Sequence, residues 1–546
     1  MRNRRTLIVL ASVLVMVLGL ATVSYACTII AVGNKATVDG SAIVTHNDDS
    51  GVADFRLWIL KGGEHKEGET RPIVIDSHDY IDYSKWPVVD YSANRNKRAM
   101  VLAELPQPKK TYTYFHSRYS FINEMGVAMG ETTCGISNTG RGTAIRTKMY
   151  DTDEGLLDCW NLQDIALERA ATAREAVKIM GDLINEYGWN VTGGGGEIIN
   201  ITDGDETWIM EFFGAKIWSA VRVPDDMFFV GANTHRLMID PRNPVENGVR
   251  YEMIVSPNFI SYAVENGWYD PNAGVPFQAA FVYANRTTHN KREWRAYDLV
   301  APSLKLADNQ VHYPYFIKPD NKLSVHDIFR ISGDHYEGTQ YDLTKGPLAG
   351  PYGDPLNNYG LGGRPRPIGI PATCYLQVSQ IKPWLPTALK GIVWYGYGSV
   401  GHTFLTPLFP AMDRLPDLYS IGSRYEIYRR DSGWWINTGV QAIIGLNYAD
   451  AMKFVNALRE PKMANVYKQM TELQEIAAKM YATDPKGALS MLSEYCYNTS
   501  VGWYNDWLKL GDELMAKYWR QTTWPTWWRD WVNPATNPEI VKYQGK

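Results

Sequence analysis

Long apolar runs are almost absent from this chain of 546 residues. The exception, Leu7 to Leu20, is too short to span a bilayer comfortably, and no later stretch approaches that length. The body of the protein is therefore expected to be soluble, with no transmembrane segment. Charge of one sign is also lacking: 55 Lys and Arg face 59 Asp and Glu, a net charge of −4 without a basic stripe. That balance argues against nucleic acid as a partner. None of the ten histidines stands in a His-Glu-x-x-His pattern, which lowers the case for a zinc peptidase. Gly193 to Gly196 is not followed by Gly-Lys-Ser/Thr, so it reads as a flexible connection and not a phosphate loop. No cofactor and no metal-ligand set is read; His335 and Glu337, two apart, are taken as structural or substrate-side groups. The 19 Trp and 34 Tyr follow no repeat and are expected to pack the core.

Cysteine is scarce. The five are Cys27, Cys134, Cys159, Cys374 and Cys496. An oxidising exterior permits disulfides, and an odd count leaves one thiol over. A free Cys27 makes that count natural, with up to two bridges among the other four.

What the sequence does have is a processing signal placed against Cys27. Arg2, Arg4 and Arg5 precede the apolar run, and Ser24 and Ala26 supply small side chains at the −3 and −1 positions of a cleavage site. Residues 1–26 therefore read as a signal peptide, with export to the periplasm or the extracellular space. Removing them leaves 520 residues and, since they carry three arginines and no acid, a net charge of −7. Ser24-Tyr25-Ala26 fits a lipidation signal poorly. Cys27 becomes the new terminus, joining a thiol nucleophile and an α-amine on one residue. That amine, with an ordinary pKa of about 7.7–8.0, can take the thiol proton near neutral pH. Cleavage would create the catalytic group.

Thr28–Val32 and Ser41–Thr45 are β-rich and are joined by a turn ending Asp39-Gly40. This hairpin would return the chain to Asn47-Asp48-Asp49, beside the new terminus. Residues 126–133 read as a further strand running into a loop. Leu156–Ala170 reads as a helix. Thr172 and Glu175 form a capping box for a second helix, with Ala176, Val177, Met180, Leu183, Ile184 and Tyr187 on its apolar face and Gly188 as its stop. Strands resume at Glu197–Thr202, Thr207–Phe212 and Met227–Val230, and Ser324 opens another helix. From about Asn447 the pattern is helical, through Ala451–Leu458, Met463–Tyr481 and Trp503–Trp519. Sheets covered by helices, an α+β layered architecture, follow from this order.

Several segments in sequence order carry a resemblance. They are Cys27-Thr28-Ile29-Ile30 with Asp39-Gly40-Ser41; His46-Asn47-Asp48-Asp49; Asn123 to Thr133; Leu167-Glu168-Arg169-Ala170 with Thr172 to Ala176; Ala232-Asn233; Arg292 to Arg295; and Asp334 to Thr339 with Tyr341 to Thr344. Over most of residues 27–420 the chain resembles the secreted cysteine dipeptidases of the N-terminal-nucleophile hydrolase superfamily, relatives of bile-salt hydrolases and penicillin V acylases.

The resemblance implies a four-layer αββα sandwich, placed over residues 27–446; residues 447–546 read as a mainly helical region, packed on it or forming a separate cap. It implies small peptides as substrates. It also implies Cys27 as nucleophile, Asp49 as the group orienting its amine, Asn233 as an oxyanion donor, and Arg292 as an active-site cation. A backbone N–H in Thr132–Thr133 would replace a second asparagine of the acylases, and His46 stands where those relatives have an arginine. Glu131, beside the site strand, is a candidate for the substrate ammonium. A homo-oligomer is possible. The competing functions are an amidase cleaving N-acyl amino acids, which would want an apolar acyl pocket, and an aromatic-rich binding protein with no catalytic use for Cys27.

Overall fold

The computed structural model describes residues 27–51, 53–74, 101–137, 140–150, 155–189, 195–356 and 358–519. Residues 1–26, read above as a signal peptide, Gly193–Gly194 and the last 27 residues lie outside the described residues. The chain opens on β1 (Ile29–Val32), makes a short 3-10 turn, and returns as β2 (Ala42–Asp49). Asp39 Oδ1 accepts from the backbone N–H of Ser41, and Gly40 takes φ +84°, where a side chain would be strained. The expected hairpin is present: Ala31 faces Val44, and Thr28 bridges Asn47, so the start of the body lies beside the end of β2.

Next come β3 (Ala128–Cys134), α1 (Cys159–Arg169) and α2 (Ala173–Tyr187), then β4 (Gly196–Thr202) and β5 (Phe228–Gly231). α1 starts three residues later than its sequence pattern suggests, because Asp158 caps it by accepting from Asn161 N–H at 2.8 Å. Thr172 caps α2 at Glu175 N–H, while the Glu175 carboxylate accepts from Ala171 N–H and not from Thr172. α3 (Lys291–Val300), α4 (Val325–Ser332) and β6 (Thr373–Ile381) follow, and Ser324 with Asp327 forms a reciprocal capping box at the head of α4.

The chain is thus a mixed α+β protein built on antiparallel sheets. One sheet of six strands runs in the order β5, β1, β2, β6, Gly391–Tyr397, Thr406–Leu408. The other has eight strands, with β3 beside β4 near its middle. β1 and β2 pack against β3 and β4. Asn200 on β4 ties the sheets together, donating to the carbonyls of Ile30 and Thr45 at 2.8 and 3.0 Å. At Gly130 an added Cβ would lie 2.4 Å from the carbonyl oxygen of Thr45, so the sheets meet there at backbone distance. The outer side of the eight-stranded sheet buries Ile199, Ile201 and Met210 against Leu162, Ile165, Val177, Met180 and Ile184 of α1 and α2.

The C-terminal part comprises α5 (Gly433–Ile444), α6 (Tyr448–Tyr481) and α7 (Pro485–Tyr518). The expected break between Leu458 and Met463 does not occur. Pro461 removes one helical hydrogen bond, but burial of Val455, Arg459, Met463 and Val466 on one face carries the helix through it. Arg459 further pins this turn by donating to the carbonyls of Gly401 and Thr403. Many of the described aromatics pack the core, though Trp384, Tyr425 and Trp519 are exposed: Phe404 stacks on Trp503 with ring centroids 4.6 Å apart, and Phe55 stacks on Trp434 at 4.9 Å.

The expectation of up to two disulfides is not met. All five cysteines are free and buried. Cys134, Cys159, Cys374 and Cys496 sit on β3, α1, β6 and α7, four separate elements, where each fills interior space as a small apolar side chain.

Candidate active site

Cys27 stands one residue ahead of the Thr28–Asn47 bridge and is 1 % exposed. Two side chains hold its backbone carbonyl: Thr132 Oγ1 donates to it at 3.1 Å and Arg292 Nη1 at 2.9 Å. Arg292 also donates to Thr28 Oγ1, to the carbonyl of Ala232 and, at 2.7 Å, to Asn233 Oδ1. Its position follows from local capping. Asn290 accepts from Arg292 N–H at the start of α3 and reaches across to the Ala232 carbonyl. Arg292 is therefore buried and turned to these acceptors, not to its neighbour Glu293. Glu293 instead binds Arg286 at 2.7 Å, a separate buried pair.

Asn233 sits just past β5 with φ +62°, a left-handed conformation that asparagine tolerates better than most residues. Its backbone N–H and its Nδ2 both donate to Thr132 Oγ1 at 3.1 Å, and Nδ2 also donates to the Thr133 carbonyl at 2.7 Å. To serve a developing oxyanion, this amide would have to release one of those partners. Thr132 contributes through its hydroxyl, which links Cys27 to Asn233.

On β2 successive side chains point to opposite faces of the sheet. Asn47 donates to the Ser332 carbonyl behind the sheet. Asp49 is fixed by Arg366 at 2.7 Å and by Thr373 Oγ1 at 2.6 Å. Burial raises the Asp49 carboxyl to about 6, against the opposing pull of Arg366 and Thr373. His46 and Asp48 face the other sheet. His46 Nε2 lies 3.2 Å from Glu131 Oε1, and its ring stands edge-on to Tyr119 and Tyr375. Asp48 is buried, 3.8 Å from Arg118.

Glu131 is fully buried and touches His46, the Cys27 thiol and Glu197. Burial alone would raise its carboxyl, but hydrogen bonding from His46 and the imidazole charge outweigh this and hold it below the usual range. Glu197 is pushed well up, by burial first and then by the charge of Glu131. The two carboxyls are thus pushed in opposite directions, Glu131 down and Glu197 up. The Cys27 thiol is pushed up by burial, with the carboxylates of Glu131, Asp48 and Asp49 adding to the effect and the Asp49 backbone N–H opposing it. This thiol is held protonated, so a base must take its proton before it attacks anything.

All eight site residues expected from the sequence, Cys27, His46, Asp49, Glu131, Thr132, Thr133, Asn233 and Arg292, thus fall in one region. Sequence reasoning missed Thr28, Glu197, Asn290, Arg366 and Thr373. Only Arg366, in Arg364-Pro365-Arg366-Pro367, stands in a stretch odd enough to have attracted notice. His335 and Glu337 bond each other at 3.0 Å. They line a separate cavity of about 700 Å³ with Arg295 and Arg459 that does not include Cys27.

The site is thus a buried cysteine at the head of β1, an interior strand of the six-stranded sheet, with its carbonyl clamped and acids around its thiol. Residues 26–460 match the model of Peptidase family C69, and the chain belongs to that family. It is 28 % identical over 401 residues to a probable dipeptidase of Salmonella dublin, covering 71 % of this chain and 81 % of that protein. It is 26 % identical over 493 residues to a dipeptidase of Bifidobacterium longum, covering 86 % of each. Dipeptidase A of Lactobacillus helveticus is 23 % identical over 514 residues, covering 90 % of this chain and 98 % of that protein.

Proposed function

We propose that this protein is an exported dipeptidase that uses Cys27, exposed as the N-terminal residue by removal of residues 1–26, as its nucleophile. The observation that carries the reading is the charged surround of Cys27: Glu131, Asp48 and Asp49 act on the thiol, and Arg292 binds its own carbonyl. A dipeptide brings an ammonium and a carboxylate that such a site can pair, whereas an acyl chain would want apolar walls. The relatives named dipeptidases align along most of this chain, which favours the same substrate class. The two facing antiparallel sheets with helices outside them support a four-layer αββα N-terminal-nucleophile sandwich. In this reading residues 27–446 form the catalytic body and residues 447–546 a helical region packed on it.

Each step has a group in this chain. The freed α-amine of Cys27 takes the thiol proton, since burial and the neighbouring acids prevent a resting thiolate. Asp49, itself anchored by Arg366 and Thr373, orients that amine. Sγ attacks the peptide carbonyl, and Asn233, with backbone N–H groups near Thr132 and Thr133, stabilises the oxyanion. The amine then gives its proton to the leaving group, and water hydrolyses the thioester. Glu131 reads the substrate ammonium, with His46 3.2 Å away holding its carboxyl in the charged form.

The test compares one dipeptide in free, N-acetylated and C-amidated forms. Blocking either terminus leaves a buried partner unpaired and should lower kcat/KM about 10- to 100-fold. Faster cleavage of the N-acetylated form would assign the protein to acylase chemistry instead.

A further inference from the structure

Three buried side chains at the head of the fold carry different donor atoms, and their partners are incomplete. Cys27 Sγ, an imidazole nitrogen of His46 and a carboxylate oxygen of Asp48 all lie within 4.8 Å of one another. Neither oxygen of Asp48 accepts a hydrogen bond, and His46 Nδ1 has no partner, although both residues are 0 % exposed. Buried polar atoms are rarely left in that state. A tetrahedral ion with Zn–S of about 2.3 Å and Zn–N or Zn–O of about 2.0–2.2 Å has ligand–ligand edges of roughly 3.3–3.8 Å, so small side-chain rotations close the set.

Sulfur with imidazole and carboxylate is a donor set suited to zinc, not to magnesium or calcium. The outer shell agrees. Glu131, 3.2 Å from His46 Nε2, supplies the carboxylate that commonly orients a metal-bound histidine. Asp49 and Glu131 add negative charge around the thiol, opposed by Arg118, 3.8 Å from Asp48, and by Arg292 on the Cys27 carbonyl.

We propose that Cys27, His46 and Asp48 together bind one thiophilic divalent cation of the zinc class, and that its occupation shuts off the nucleophile. Binding replaces the thiol S–H bond with a sulfur–metal bond and releases that proton to solvent; no electron is transferred. A fourth position is left for water. The ion is an inhibitor and takes no part in hydrolysis. The binding stands on geometry alone, while the shut-off rests on the proposed role of Cys27.

Cobalt(II) added to the full-length, metal-free chain should give a thiolate-to-cobalt charge-transfer absorption that saturates at one ion per chain and is displaced by zinc. Cys27→Ala should abolish the absorption. His46→Gln and Asp48→Asn, two independent variants checked for folding by circular dichroism, should each weaken cobalt binding by at least about 10-fold. Absence of the absorption in the unaltered chain, or its persistence at unchanged affinity in either folded variant, would overturn the site. Stoichiometric zinc should also stop dipeptide hydrolysis by the processed enzyme, and chelation should restore it; full activity with zinc bound would overturn the shut-off. A protein that cleaves no dipeptide would defeat the proposed function, yet the cobalt absorption would still decide the metal site.

Discussion

Arg292 ties Cys27 to Asn233. One guanidinium donates to the Cys27 carbonyl at 2.9 Å and to Asn233 Oδ1 at 2.7 Å, joining residues 206 positions apart in the chain. The proposed nucleophile and the proposed oxyanion donor therefore share one support. Burial, and then the neighbouring charge of Arg366, push the Arg292 guanidinium below its ordinary value. A charge is kept in the interior here at a cost that its four acceptors offset.

Arg292→Lys should separate support from simple charge. Lysine keeps the charge but cannot present the planar fork that meets several acceptors at once. Leaving buried acceptors unpaired costs about 1–3 kcal/mol, so kcat should fall about 10- to 100-fold, with a lower Tm. Steady-state kinetics on dipeptide substrate and a thermal melt measure both; an unchanged kcat would remove Arg292 from the active machinery.

A residue left permanently ahead of Cys27 should abolish turnover. It converts the amine into an amide that cannot accept a proton, and the raised thiol offers no standing thiolate as a fallback. A chain starting at Cys27 is compared with one carrying an uncleavable upstream residue. Equal rates would refute the amine as base.

Gly130→Ala should destabilise the whole body. The new Cβ would meet the Thr45 carbonyl oxygen at 2.4 Å and His46 Cβ at 2.9 Å, and neither can yield without parting the sheets. Overpacking of this kind costs roughly 1–3 kcal/mol. Denaturant titration should show a lower midpoint with an unchanged slope.

Glu337→Gln should reduce stability at neutral pH, and the difference should vanish in acid. Burial would raise the Glu337 carboxyl, but the hydrogen bond and charge of His335 hold it at about 2. A depressed carboxyl stabilises the folded state above its unfolded value of about 4.3, and that contribution fades as pH falls toward 2. The variant should therefore melt lower than the parent at neutral pH and converge with it near pH 2. Glu337 is 46 % exposed on its side chain, so solvent screening keeps the difference small. Parallel melts from pH 2 to 7 decide it.

The sequence by itself determined the local elements. Asp39-Gly40 sets the β1–β2 hairpin, and Ser324 with Asp327 sets the start of α4, because caps and turns depend on neighbours a few residues away. The segments from Cys27 to Arg292 that resemble a known family also pointed to residues that the fold gathers around Cys27, among them Asp49, Asn233 and Arg292. Sequence could not show how those residues are held. Thr373 reaches Asp49, Glu197 reaches Glu131, and Arg366 completes the Asp49 anchor, across separations that no local pattern encodes. It also suggested bridges among cysteines that the fold distributes over four separate elements. At α6 it suggested two helices, ending at Leu458 and resuming at Met463, where tertiary packing carries one helix through Pro461, since burying one face outweighs a single lost hydrogen bond. Side-chain chemistry within a few residues is written in the chain; which buried charge meets which is decided only when two sheets close on each other and exclude water.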